Sequence, residues 1–183
     1  GAQTALSRAA EISLALTIPS AVALMVVPFA LVTVLFERGA STVDDTAAIA
    51  TAVTIYGLGL PAFVLQKILQ PVYFAREDTR RPFYFAIVAM VVNAALAIGL
   101  APYVGWIAPA IAATVAGWAM FACLAIGARR YGAAAKFDAR FHKRIWRILI
   151  ASALMGGALW VGNAALQPLF GIPWWRGLAL LML

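Results

Sequence analysis

Residues 46–74 read TAAIATAVTIYGLGLPAFVLQKILQPVYF, residues 75–82 read AREDTRRP, and residues 83–100 continue as FYFAIVAMVVNAALAIGL. An apolar run carrying only Lys67 is thus followed by five charges in eight positions and then by a second apolar run without a charge. A helix rising 1.5 Å per residue needs about 20 apolar residues to cross a hydrocarbon core about 30 Å thick. Both runs suit that length, and the charged octet reads as the connection between two crossings.

Composition agrees with this local reading. The chain of 183 residues is 64% hydrophobic and 11% charged, with a mean hydropathy of +0.93, far from the balance of a water-soluble domain. The same window places spans at about 12–36, 46–74, 83–101, 106–128 and 145–166. A sixth begins near Trp174, about ten residues before Leu183, so the last helix is expected to be incomplete. The opening GAQTALSRAAE lacks the charged, apolar and small-residue sequence of a signal peptide. The chain therefore reads as an internal piece of a larger multi-pass protein. Transmembrane β-strands need only about 10 residues and alternate lipid-facing with lumen-facing side chains; these longer, non-alternating runs do not. The predicted class is an all-α polytopic membrane protein, a helical bundle.

Orientation follows from the basic residues, which gather in short cytoplasmic loops. Arg8 precedes the first span; Arg76, Arg80 and Arg81 lie between the second and third; Arg129, Arg130, Lys136, Arg140, Lys143, Arg144 and Arg147 lie between or flank the fourth and fifth. The opposite face holds Arg38 and Arg176. Five alternating crossings satisfy that split, with 129–144 as a basic cytoplasmic loop. The net charge of +7 is then an orientation signal and a means of meeting anionic head groups, with no nucleic-acid partner required. In the turn itself, Pro82 suits a helix start, and Asp78 or Thr79 is placed to cap it. Glu77 and Asp78 are adjacent carboxylates, but a solvated loop is a poor setting for a catalytic pair.

Several helix breakers fall within the spans: Pro19 and Pro28 in the first, Gly57, Gly59, Pro61 and Pro71 in the second, and Gly105 with Pro109 at the start of the fourth. They are expected to interrupt or kink the helices, as is common in transporters and also found in static bundles. Polar groups within the membrane tend to face a partner or a cavity. Lys67 is a candidate substrate contact, although a lysine at that depth can also extend its head to the interface. Gln66 and Gln70 share a helix face beside it. Asn93 is expected to hydrogen-bond between helices. Small residues at Ala113, Gly117, Ala153, Gly156 and Gly157 permit close helix approach.

The constellations of soluble enzymes are missing. Cys123 is the only cysteine and His142 the only histidine, so neither a disulfide nor a metal cluster is expected, and no cofactor is called for. GLGLP lacks the strand-turn-helix setting of a phosphate loop.

Three segments carry a family resemblance: LFERGAS (35–41), YGLGLPAFVLQKILQPVYFAREDTRRP (56–82) and VVNAALAI (91–98). Their order and content resemble the MurJ (MviN) family of lipid II flippases, which belongs to the MOP superfamily of MATE-like transporters. Positions 35–40, 59–63, Lys67, Pro71, 74–76 and 78–80 match the family pattern; Ser41, Arg81 and Ala97 depart from it. The resemblance implies two six-helix lobes around a central cavity, followed by two appended helices. Residues 1–128 would be the last four helices of the second lobe, and 145–183 the appended pair. It further implies transport of undecaprenyl-pyrophosphate-linked peptidoglycan precursor across the bacterial plasma membrane. Membrane lipids, lipid II and cell-wall synthesis proteins would be its partners.

The arginines that line the family's cavity lie outside this sequence, so the residues available for a role in gating are Arg76, Asp78 and Arg80 in the cytoplasmic turn. Rival readings are another exporter of the superfamily that moves drugs or polyprenyl-linked sugars, a membrane-embedded enzyme, and a non-catalytic structural membrane segment.

Overall fold

The computed structural model describes residues 2–36, 43–135 and 139–166. The loop with Arg38, the basic residue Lys136 and the span expected from Trp174 lie outside the described residues. What is described is helical apart from Val27 and the turn at 75–79: α1 Ala2–Val26, α2 Pro28–Phe36, α3 Val43–Phe74, α4 Arg80–Val104, α5 Ala108–Ala128 and α6 Ala139–Leu166, with 3₁₀ stretches before and after α5. Among the described residues four helical stretches are long and apolar enough to cross a membrane, one of which, Arg80–Gly132, contains both α4 and α5 with the turn between them.

Interhelical contacts reveal the direction of each helix. Gln66 reaches Gly117 and Tyr73 reaches Leu124, so α3 and α5 run parallel. Gly57 lies against Ala21, Leu24 and Met25, whereas Leu65 packs with Leu14 and Ile18; α1 and α3 are therefore antiparallel. Phe85 approaches Gly127, and Ala89 and Asn93 share a cavity with Ala113 and Ala116, which makes α4 antiparallel to α5. Glu11 meets Arg144 and Val22 meets Gly156, so α6 runs parallel to α1. The alternation expected from the basic residues is thus present, and it gathers Arg8, Arg76, Arg80, Arg81, Arg129, Arg130 and Arg144 at one end.

The prolines expected to interrupt or kink the spans differ among themselves. Only Pro28 coincides with a break, at Val27, where the Val27 N–H still reaches Ala23 O at 3.0 Å. Pro19, Pro61 and Pro71 sit inside continuous helices. Near Pro61, Thr114 Oγ1 donates to Ile55 O at 3.0 Å and Trp118 Nε1 to Leu58 O at 3.0 Å, so α5 is fastened to α3 through carbonyls on either side of Gly57, whose oxygen is the one that loses the Pro61 N–H. Gly105 and Pro109 act together at the α4–α5 turn. Gly105, at a φ of +58° open to glycine, returns its N–H to Ala101 O to close α4. A short 3₁₀ turn, Gly105–Ile107, follows, and Pro109 lies in the first turn of α5.

The GLGLP run also finds a packing role. Its two glycines face different neighbours: a Cβ on Gly57 would come within 3.2 Å of Met25 on α1, and one on Gly59 within 3.2 Å of Thr114 on α5. Two residues apart on a helix is about 200°, so the pair lets α3 be approached on opposite sides. Gly117 and Gly156 serve the same end, since a Cβ would stand 2.7 Å from the Phe63 ring and 2.6 Å from Val22 respectively. Gly157 has open space.

Candidate functional site

The charged turn is built by the end of α3. Tyr73 O accepts N–H bonds from Arg76 at 2.9 Å and Asp78 at 3.1 Å, while Phe74 O accepts from Glu77 at 3.0 Å. These bonds reverse the chain within five residues and hold Glu77 at a φ of +58°. That is a left-handed conformation costing about 1–3 kcal/mol for a non-glycine residue, kept only where surrounding contacts impose it.

The contacts that impose it converge on Tyr131, in the 3₁₀ stretch Arg129–Ala135 beyond α5. The Tyr131 hydroxyl donates to Asp78 Oδ2 at 2.7 Å. Arg81 Nε lies 3.3 Å from the same oxygen, and Arg81 Nη1 donates to the Tyr131 hydroxyl at 3.4 Å. The Arg76 guanidinium lies over the Tyr131 ring, 4.4 Å from its centroid, while its Nη1 donates to Val72 O at 3.1 Å. Tyr73 meets the ring edge-on at 5.3 Å and donates its hydroxyl to Leu124 O. One aromatic ring thus joins the α3–α4 turn to the end of α5 through a carboxylate, a cation over its face and a second ring. The hydrogen bond from Tyr131, aided by the Arg81 N–H and charge, holds the Asp78 carboxyl below the usual carboxylate range.

Arg76 and Asp78 are therefore brought together, through Tyr131. Arg80 is exposed and joins none of these contacts among the described residues; the neighbouring Arg81 takes the inward place. Thr79 precedes α4 without a side-chain bond, and Asp78 Oδ1 accepts the Arg81 N–H at 3.3 Å instead. Arg81 stood out in the sequence as a departure from the family pattern, and Tyr131 carried no signal beyond following two arginines.

Deeper in the bundle, Gln66 Nε2 donates to Gly117 O at 2.6 Å. Lys67, one position on, is exposed. Asn93 makes no interhelical hydrogen bond among the described residues. It lines, with Gln66 and Gly117, a cavity of about 400 Å³ between α3, α4 and α5. Among the described residues no group of histidine, cysteine or carboxylate side chains is placed to hold a metal ion.

A second charge contact was also not legible in the sequence. Glu11 on α1 has a side chain only 11% exposed and pairs with Arg144 on α6. Around it, Ala10, Leu14, Ile18, Leu65 and Phe141 form one of the two buried apolar clusters. The other, Leu69, Tyr73, Met120, Leu124 and Ala128, lies beneath the Tyr131 network.

With this geometry in place, the likeness to known proteins is specific. The family model for lipid II flippase MurJ matches residues 2–174. A probable lipid II flippase MurJ of Rhizobium tropici is 39% identical over 165 residues, covering 90% of this chain and 31% of that protein. One of Rhizobium meliloti is 42% identical over 159 residues, covering 85% of this chain and 29% of that protein. The chain thus spans about a third of the length of these relatives. A solved structure of lipid II flippase MurJ in an inward closed conformation superposes with a TM-score of 0.79 at 25% identity, covering 100% of this chain and 38% of that one. An all-helical membrane bundle with this match along nearly its whole length belongs to the lipid II flippase MurJ family.

Proposed function

We propose that this chain forms part of a transporter, without catalytic chemistry of its own, that moves lipid II from the inner to the outer leaflet of the bacterial plasma membrane by alternating access. The single observation that supports this reading is the family match over residues 2–174. The physical task is to carry a pyrophosphate and sugar head group across hydrocarbon, where an unpaired charge is prohibitive, while the isoprenoid tail stays in lipid. On this reading residues 1–128 are the last four helices of the second lobe, 129–144 is the basic cytoplasmic segment, whose last six residues already belong to α6, and 145–183 contributes the two appended helices. Cell-wall synthesis proteins are the partners that would supply or consume the precursor.

The turn formed by Arg76, Asp78 and Arg80, with Arg81 and Tyr131 added by geometry, acts as a gate. Its contacts tie the α3–α4 connection to the end of α5 in one state and release it in the other. Arg80 supplies positive charge at that face without a contact. Lys67 is the candidate substrate contact on α3. The function is tested by depleting the full-length protein and measuring which leaflet retains lipid II. Accumulation in the cytoplasmic leaflet is expected, and an unchanged distribution refutes it. The gate is tested in the same assay with the double substitution of Arg76 and Arg80 by Gln and, separately, with Tyr131→Phe, membrane insertion being confirmed. Flipping at the wild-type rate in both removes the gate and leaves the family assignment standing.

A further inference from the structure

Between the start of α4 and the end of α5 lies a cavity of about 410 Å³ that the Tyr131 network does not fill, within the size range of small-ligand sites. Arg81 and Arg130 belong to its charged end; Tyr84, Phe85, Cys123, Ile126 and Gly127 line the rest. Phe85 and Ile126 stand one turn deeper into the bilayer than the arginines, about 5 Å by the helix pitch. Two guanidinium groups therefore give way to apolar surface within a single turn. That is the profile of an amphiphile with an anionic head and a hydrocarbon tail.

The arginines have donors to spare. A guanidinium offers five N–H groups, and Arg81 turns Nε to Asp78 and Nη1 to Tyr131, which leaves Nη2 without a hydrogen bond among the described residues. Arg130 is exposed and makes no hydrogen bond or ion pair among the described residues. No carboxylate lines the cavity; Arg81 is paired with Asp78 outside it, and Arg130 brings a charge with no ion pair among the described residues. Gly127 keeps the floor low: a Cβ at that position would come within 3.0 Å of the Phe85 ring and 2.6 Å of the Tyr73 hydroxyl. Tyr84 and Ile126, 62% and 61% exposed, leave the apolar wall accessible from the side.

We propose that this cavity holds an anionic phospholipid of the cytoplasmic leaflet, its phosphate on Arg81 and Arg130 and its acyl chain along Phe85 and Ile126. A free phosphate would leave the apolar wall without a use, and a zwitterionic head group would bring its own cation to two arginines. Because Arg81 also holds Asp78 and Tyr131, a phosphate drawn to it competes for the same guanidinium. Lipid occupancy is thereby linked to the order of the α3–α4 turn. The site stands whether or not the protein flips lipid II, since it rests on this cavity alone.

The test is native mass spectrometry of the purified full-length protein titrated with palmitoyl-oleoyl phosphatidylglycerol. The variants are Arg130→Gln, Ile126→Trp to fill the cavity, and Arg129→Gln as an adjacent control that does not line it. A basic residue at the membrane surface contributes about 1 kcal/mol to anionic lipid binding, which corresponds to a loss of about fivefold in phosphatidylglycerol affinity for Arg130→Gln. Ile126→Trp should weaken binding as well, and Arg129→Gln should not; wild-type elution on size exclusion establishes that each variant is folded. Equal retention by the wild type and both cavity variants overturns the site. So does retention of phosphatidylcholine with the same chains as strongly as phosphatidylglycerol, or displacement of the lipid by equimolar inorganic phosphate. Preferential displacement by undecaprenyl pyrophosphate would reassign the cavity to the substrate and overturn the proposal equally.

Discussion

Removing Arg144 should destabilise the bundle more than removing the acid it pairs with. The two ends of this ion pair differ in surroundings: the Arg144 side chain is 61% exposed and the Glu11 side chain 11% exposed. Exposed pairs contribute about 0.2–1 kcal/mol, while breaking a fully buried pair costs about 3–5 kcal/mol because one charge is left stranded. Substituting Arg144→Ala strands the acid beside buried Ala10 and Leu14, so an intermediate cost of about 2 kcal/mol is expected. Substituting Glu11→Gln strands only an arginine already facing water, and should cost about 1 kcal/mol or less. In the double variant the stranded carboxylate is absent, so its cost should stay near that of Glu11→Gln, a coupling equal to the Arg144→Ala cost of about 2 kcal/mol. The assay is equilibrium unfolding of the full-length protein in mixed micelles of rising SDS fraction, read by circular dichroism and by a fluorophore pair placed on α1 and α6. A larger loss for Glu11→Gln than for Arg144→Ala, or additive single effects, would refute this account of how α6 is held to α1.

Two further outcomes follow from the same packing. Gly127→Ala places a Cβ 2.6 Å from the Tyr73 hydroxyl and 3.0 Å from Phe85 and should cost about 1–3 kcal/mol by overpacking, whereas Gly157→Ala meets nothing within 4 Å and should stabilise α6 by about 0.4–1 kcal/mol; thermal unfolding of the two variants checks the opposite signs. The Asp78 carboxyl, depressed chiefly by the Tyr131 hydrogen bond, contributes stability to the turn that is present above the ordinary carboxylate pKa and lost as pH falls through the depressed value. Tyr131→Phe should therefore raise the titration midpoint of Asp78, followed by carbon-13 NMR of the labelled carboxyl, and an unmoved midpoint would show that the hydrogen bond is not the cause.

Much of the architecture was legible before any coordinates, because a bilayer imposes length and hydropathy on whatever crosses it, and loop charge imposes direction. Five apolar runs and the distribution of arginines sufficed for the bundle and its alternation. The sequence does not say which prolines interrupt a helix: Pro28 coincides with a break, whereas Pro19, Pro61 and Pro71 sit inside continuous helices, and the donors that fasten α5 to α3 near Pro61, Thr114 and Trp118, lie more than fifty residues downstream.

The candidate site divides along the same line. Composition and spacing determined that residues 75–82 form a charged connection between two apolar spans, containing Arg76, Asp78 and Arg80. Only the tertiary structure decided which charges meet: Arg81 in place of Arg80, gathered with Asp78 and Arg76 around Tyr131 from another helix. It also decided that Glu11 reaches Arg144. Chain-local physics governs which segments enter the membrane, because each residue meets lipid or water by itself. Pairing between charges distant in sequence depends on how helices rotate about their axes, and that rotation is set by where Gly57, Gly117, Gly127 and Gly156 let neighbouring helices approach.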